Sequence, residues 1–184
     1  MREWLEQSSS FEFPTLLLPS ELAYRGRKRL RFANCERIGN IVLDPLILMT
    51  QLSTKKILTL EAAKQIAAAA QAEAKKNNWT MVICIVDDGG HLIYLERMDG
   101  TQVGSVVVAQ EKAASAIRFK RPTKAFEEAV AGGRIVVMKL AGAIPVEGGV
   151  PIVVDGEFVG AIGVSGGTSP QDGQVAAAGL AALV

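Results

Sequence analysis

The sequence predicts an α+β fold, an antiparallel sheet with helices packed on it, and three observations carry that prediction. Two pairs of apolar, β-branched runs are each joined by a turn-forming segment, Asp87-Asp88-Gly89-Gly90 in the first and Asp155-Gly156 in the second. Around them stand segments whose apolar residues recur at helical rather than alternating spacing. The resulting order is helix, strand, strand, helix, short helix, strand, strand, helix, without the strand–helix alternation of a doubly wound nucleotide fold.

Regular patterning occupies residues 53–184, which read as a single domain. Residues 1–52 read as an irregular N-terminal extension: Ser8-Ser9-Ser10, Pro14 and Pro19, then the basic stretch Arg25-Gly26-Arg27-Lys28-Arg29-Leu30-Arg31. Six acids offset seven bases across this segment, so it is expected to be a solvated, disordered tail rather than a nucleic-acid patch. Met49 stands just before the patterned region, and a native start there would make residues 1–48 no part of the natural chain. N-terminal sequencing of native protein decides between the two.

The elements follow in order. Thr59 is placed to cap a helix running through the Ala-rich segment to about Lys76, with Leu60, Ala63, Ile66, Ala67 and Ala70 on one face. So many alanines on the buried side predict a close approach to a sheet or another helix. Met81–Val86 reads as a strand, Leu92–Arg97 as its hairpin partner. Residues 102–119 form a second helix with Val106, Ala109, Ala113, Ala116 and Ile117 inward, and Lys124–Ala131 a short third one ended by Gly132-Gly133. Ile152–Val154 and Phe158–Val164 make the second hairpin. Ser169 as cap and Pro170 at the first helical position open a last helix to about Leu183.

Composition narrows the function. The 184 residues carry 20 Lys and Arg against 19 Asp and Glu, a formal net charge of +1, which gives no global reason to bind nucleic acid or an anionic membrane. No apolar run is long enough to span a bilayer, and the acidic start Met1-Arg2-Glu3-Trp4-Leu5-Glu6 lacks the pattern of a secretory signal, so a cytoplasmic protein is expected. Cys35 and Cys84 make no disulfide framework. One histidine and two isolated cysteines cannot build a protein-held zinc site without carboxylates, and no metal is expected.

Several residues could carry chemistry. Gly163-Val164-Ser165-Gly166-Gly167 fits the spacing of a nucleophile elbow between strand and helix, yet the one histidine, His91, lies far upstream. The same glycines read better as a place where backbone approaches a ligand, beside the N-terminus of the last helix, with Ser165, Gly166 and Gly167 as contacts. Gly148 and Gly149 follow Glu147 and make the segment another acid beside flexible backbone. His91 at a hairpin tip is first a solvent-facing turn residue, second an axial ligand or proton carrier. Arg97 in Arg97-Met98-Asp99-Gly100 could clamp a carboxylate. Glu111 and Lys112 point apart on the second helix. Together these groups predict a site for an anionic small molecule.

Taken jointly, Val86-Asp87-Asp88-Gly89-Gly90-His91-Leu92, Arg97-Met98-Asp99-Gly100, Ala109-Gln110-Glu111-Lys112-Ala113, Gly148-Gly149-Val150-Pro151-Ile152 and Gly160–Gly167 with Gln171-Asp172 resemble the GlcG/HbpS family, which also supplies the C-terminal domain of PduO-type proteins. The resemblance covers residues 57–184. It implies a profilin-like fold with a five-stranded antiparallel sheet, and a homo-oligomer. It further implies haem or another tetrapyrrole as ligand, with His91, Gly148, Gly149, Ser165, Gly166 and Gly167 as candidate contacts. The alternative is a cofactor-independent catabolic enzyme, a hydrolase, lyase or dehalogenase acting on a small unsaturated, muconate-like acid. Arg97 would then hold the carboxylate, and Glu111, Lys112 or Asp172 would move protons. A purely structural assembly protein is the third reading.

Overall fold

The computed structural model describes residues 53–183. The expectations for the N-terminal extension, the basic stretch 25–31, the start at Met49 and Cys35 lie outside those residues. Four helices and four strands follow the expected order: α1 (Leu60–Lys76), β1 (Val82–Asp87), β2 (Leu92–Arg97), α2 (Ser105–Phe119), α3 (Lys124–Ala131), β3 (Gly149–Val154), β4 (Glu157–Ser165) and α4 (Ser169–Leu180). The strands form one antiparallel sheet in the order β2-β1-β4-β3.

The fold is α+β as expected, but the described residues supply four strands, not the five that the family resemblance implies. Two hairpins account for all four. The stretch between α3 and β3 becomes a 3-10 turn over Ile135–Lys139 and irregular backbone instead of a further strand.

β1 sits at the centre, with Val82–Val86 buried, so its apolar run is continuous rather than alternating. Its side chains divide the molecule into layers. Val82, Cys84 and Val86 join Ala161 against Ala109, Ala113, Ala116 and Ile117 of α2. Ile83 and Ile85 join Ile162 and Val164 on the other face, against Ala63, Ile66, Ala67 and Ala70 of α1 and Val175 and Ala176 of α4. The alanines serve the close approach expected of them: a Cβ on Gly163 would run into the Ala109 carbonyl.

Local signals held with small shifts. Thr59 Oγ1 accepts from the Ala62 N–H at 3.2 Å and caps α1. Leu60, expected inward, is half exposed. α2 starts at Ser105 rather than 102, because Thr101–Gly104 is spent on turns closed by the Met98 and Gln102 carbonyls. Thr168, not Ser169, caps α4: Gln171 Oε1 accepts the Thr168 N–H at 2.9 Å, which places Pro170 at the second helical position. No helix among the described residues is long and apolar enough to cross a membrane.

Candidate functional site

Two constellations emerge, and the sheet holds them apart. The first is buried. Lys112 leaves α2, and its Nζ donates to Asp172 Oδ2 on α4 at 2.7 Å and to the Val164 carbonyl at 3.1 Å. The two side chains are 1% and 4% exposed. Because α2 and α4 cover opposite faces of the sheet, the lysine must pass its edge, and it does so at Gly148, just before β3: a Cβ there would lie 2.9 Å from Nζ. Gly149 beside it abuts the Lys112 backbone and is locked by Thr123, whose Oγ1 accepts the Gly149 N–H at 2.9 Å. Asp172 Oδ1 accepts the Gly167 N–H at 3.0 Å. The anion-binding end expected at the start of the last helix is therefore filled by the chain's own carboxylate. Burial pushes the Asp172 carboxyl above its ordinary range, against the pull of the Lys112 ammonium and the Gly167 and Gly166 N–H groups.

The second constellation is exposed, at the tip of the first hairpin. Asp87 Oδ1 accepts the backbone N–H of Gly89 at 2.9 Å and of His91 at 2.8 Å, and stands 3.3 Å from His91 Nδ1. The imidazole folds back over Gly89, where a Cβ would sit 2.7 Å from Nδ1. Only a residue without a side chain leaves that space. Partial burial would raise the Asp87 carboxyl, but the two N–H donors and the imidazole more than offset it and hold it below its ordinary range. With Nδ1 facing the carboxylate and the side chain 82% exposed, Nε2 has no hydrogen-bond partner among the described residues.

The remaining expected residues fall elsewhere. Ser165 lies opposite Val82 at one end of β1, while His91 follows the far end, five strand steps or roughly 16 Å away. The Ser165 hydroxyl meets Ser105 Oγ at 3.3 Å and has no imidazole, so the elbow spacing carries no triad. Gly166 packs on Thr80 and Met81. Arg97 is exposed and lines a separate recess of about 360 Å³ with Gln71, Lys75, Met98 and Asp99. Glu111 is exposed on α2. The structure thus joins Lys112, Asp172, Gly148, Gly149 and Gly167, and leaves Arg97, Glu111 and His91 outside that group. Sequence reasoning quoted Asp87 and Gly89 without giving them a role; their signal was the carboxylate four residues before the histidine with glycines between. Among the described residues no group of three or more His, Cys, Asp or Glu is arranged to hold a metal ion.

Comparison with known proteins places these features in a family. Residues 58–181 match the family described as haem degrading protein HbpS-like. Protein GlcG of Escherichia coli strain K12 is 48% identical over 114 residues, 62% of this chain and 85% of GlcG. The crystal structure of a Streptomyces reticuli HbpS double mutant superposes with a TM-score of 0.67 at 32% identity, over 72% of this chain and 91% of the other. A structure described as a PduOC:heme complex gives a TM-score of 0.63 at 27% identity, over 69% of this chain and 95% of the other. With the matched region spanning every described helix and strand, this chain belongs to the HbpS-like family.

Proposed function

We propose that this protein binds an anionic small molecule of the tetrapyrrole class, haem in particular, as a cytoplasmic homo-oligomer. The observation that carries the reading is His91, whose imidazole is turned by Asp87 at Nδ1 so that Nε2 faces outward. Metal-ligating histidines are oriented in this way by a carboxylate on the second nitrogen. Leu92, 53% exposed and next in sequence, offers apolar contact beside the ring. The HbpS-like match and the haem complex of the PduOC relative support the same ligand. His91 would hold the iron of bound haem, which would supply single-electron exchange. Exposed Val103 in the turn before α2 and Val107 and Val108 on α2, with Ile135, Val136 and Met138 in the 3-10 turn, support an assembly of copies.

Haemin titration followed at the Soret band tests the reading. A saturable, stoichiometric shift that His91→Ala abolishes is the expected result. A shift that survives in the variant removes His91 as ligand, and no shift in the wild type overturns haem binding.

The second reading, acid–base catalysis on a small unsaturated acid, is favoured by one feature, the buried Asp172 beside Lys112 with its carboxyl pushed above the ordinary range, since functional sites collect such perturbed groups. It requires Gly148-Gly149 to open, and Arg97 and Glu111 do not join it. Incubation with cis,cis-muconate without loss of substrate would refute it.

A further inference from the structure

Lys120 stands at the C-cap of α2 with φ 51° and ψ 42°, the left-handed region. Three residues other than glycine adopt positive φ among those described: Asn78, Asp155 and Lys120. Asn and Asp tolerate that conformation through their short polar side chains; lysine has no such advantage, and glycine is the low-cost residue there. Favourable interaction with the helix C-terminus explains a cation in the last turn, but not a cation at this dihedral.

The left-handed turn sends the lysine ammonium over Phe158, 5.3 Å from the ring centroid. There it lines a recess of about 440 Å³ between the two hairpin tips, with Ile117 and Phe158 as apolar wall. The other lysines of the recess are engaged. Lys55 pairs with Asp88 at 2.7 Å, and Lys56 pairs with Asp155. The Glu157 carboxylate accepts the Lys56 backbone N–H at 3.3 Å. Lys120 has no carboxylate within ion-pair distance among the described residues. Asp88 belongs to the same turn as His91, and Gly90 of that turn packs on Ile117 and Arg118, so recess and histidine share one end of the molecule.

We propose that this recess is an anchoring subsite for a carboxylate carried on a planar apolar body, with Lys120 as its cation and Ile117 and Phe158 as its apolar contacts. The inference rests on the tetrapyrrole reading to the extent that the carboxylate is a porphyrin propionate. It assigns Lys120, rather than any residue at the Gly166-Gly167 end, to the acidic edge of the ligand.

Metal-free protoporphyrin IX separates the two claims, because without iron it gains nothing from an axial histidine. Binding is followed by porphyrin fluorescence in the wild type, Lys120→Gly and Lys120→Arg. Glycine suits the left-handed position, so Lys120→Gly keeps the fold and is expected to raise the melting temperature while weakening protoporphyrin about tenfold, the scale of one charge-assisted contact. Lys120→Arg should restore most of the affinity. Equal affinity in Lys120→Gly, or no protoporphyrin binding by the wild type, overturns the subsite. Loss of haemin binding in His91→Ala stands or falls separately, so failure of either claim is recognised on its own.

Discussion

Replacing Lys112 with methionine keeps the length and apolar stem of the side chain and removes its charge. The variant loses both bonds of the ammonium, to Asp172 Oδ2 and to the Val164 carbonyl. Asp172 is left 2% exposed with the Gly167 N–H as its remaining strong donor, and the Val164 carbonyl loses its lysine donor. Breaking a buried pair from one side costs about 3–5 kcal/mol, because the other charge stays behind uncompensated. With an unfolding entropy of about 2.1 cal/mol/K per residue over residues 53–183, that is a fall of roughly 10–20 °C in melting temperature. The cost has a pH signature. Alone, Asp172 escapes by holding a proton, and a carboxyl whose folded pKa lies above its unfolded value adds stability at low pH that is lost as pH rises through the folded value. The deficit against wild type should therefore be largest at neutral pH and narrow toward pH 5. Lys112→Met with Asp172→Leu removes both charges and should recover most of the loss. Thermal and urea unfolding of the two single variants and the double measure all of this. A Lys112→Met variant within about 1 kcal/mol of wild type, or a double variant no better than the worse single, refutes the clamp.

Gly89→Ala places a methyl where the His91 ring lies, at a backbone conformation alanine accepts; haemin affinity should fall while stability, at an exposed turn, shifts by only about 0.5 kcal/mol. Burial pushes the Cys84 thiol up to about 12, so in a Cys35→Ser background Ellman's reagent at pH 8 should find no reactive thiol until the protein is unfolded; rapid labelling of the native state contradicts the packing of β1 under α2. Asp87 has its folded pKa below the unfolded value, so its charge stabilises above about pH 4 and that contribution is lost as pH falls through the folded value. Asp87→Asn, which keeps an acceptor for both N–H groups, should melt lower than wild type at pH 6, with the gap closing at pH 3.

Most of the fold was legible because its signals are local. β-Branched runs bracketing Asp155-Gly156 fix a two-residue hairpin, and both turn residues do take positive φ. Thr59 caps its helix as the sequence suggests, and the alanine face of α2 meets the sheet. Legibility ended where the decisive contact joins residues far apart in the chain. Lys112 and Asp172 are 60 residues apart, and nothing in their own segments says that the lysine passes the sheet edge at Gly148. Likewise Ser165 and His91 share motifs of similar look, yet β1 carries them to opposite ends. Lys120 gave no signal at all, since a helix-ending lysine is ordinary until its dihedral is seen.

The two ends differ in what their polar groups have left to offer. At the Gly148–Gly167 end, Lys112 Nζ has two acceptors, and both oxygens of Asp172 have donors; a ligand arriving there would have to displace bonds already made in a nearly dry site. At the hairpin-tip end, the His91 Nε2 and the Lys120 ammonium stand at the surface without an acceptor or carboxylate partner among the described residues. Binding draws on unused capacity, whereas a satisfied buried network resists change. The division is consistent with the proposed ligand recognition at the tips, where glycines and left-handed turns aim the side chains, while the buried pair joins α2 to α4 across the edge of the sheet. Substitutions at the two ends, well over 10 Å apart, should then act additively, each moving its own property.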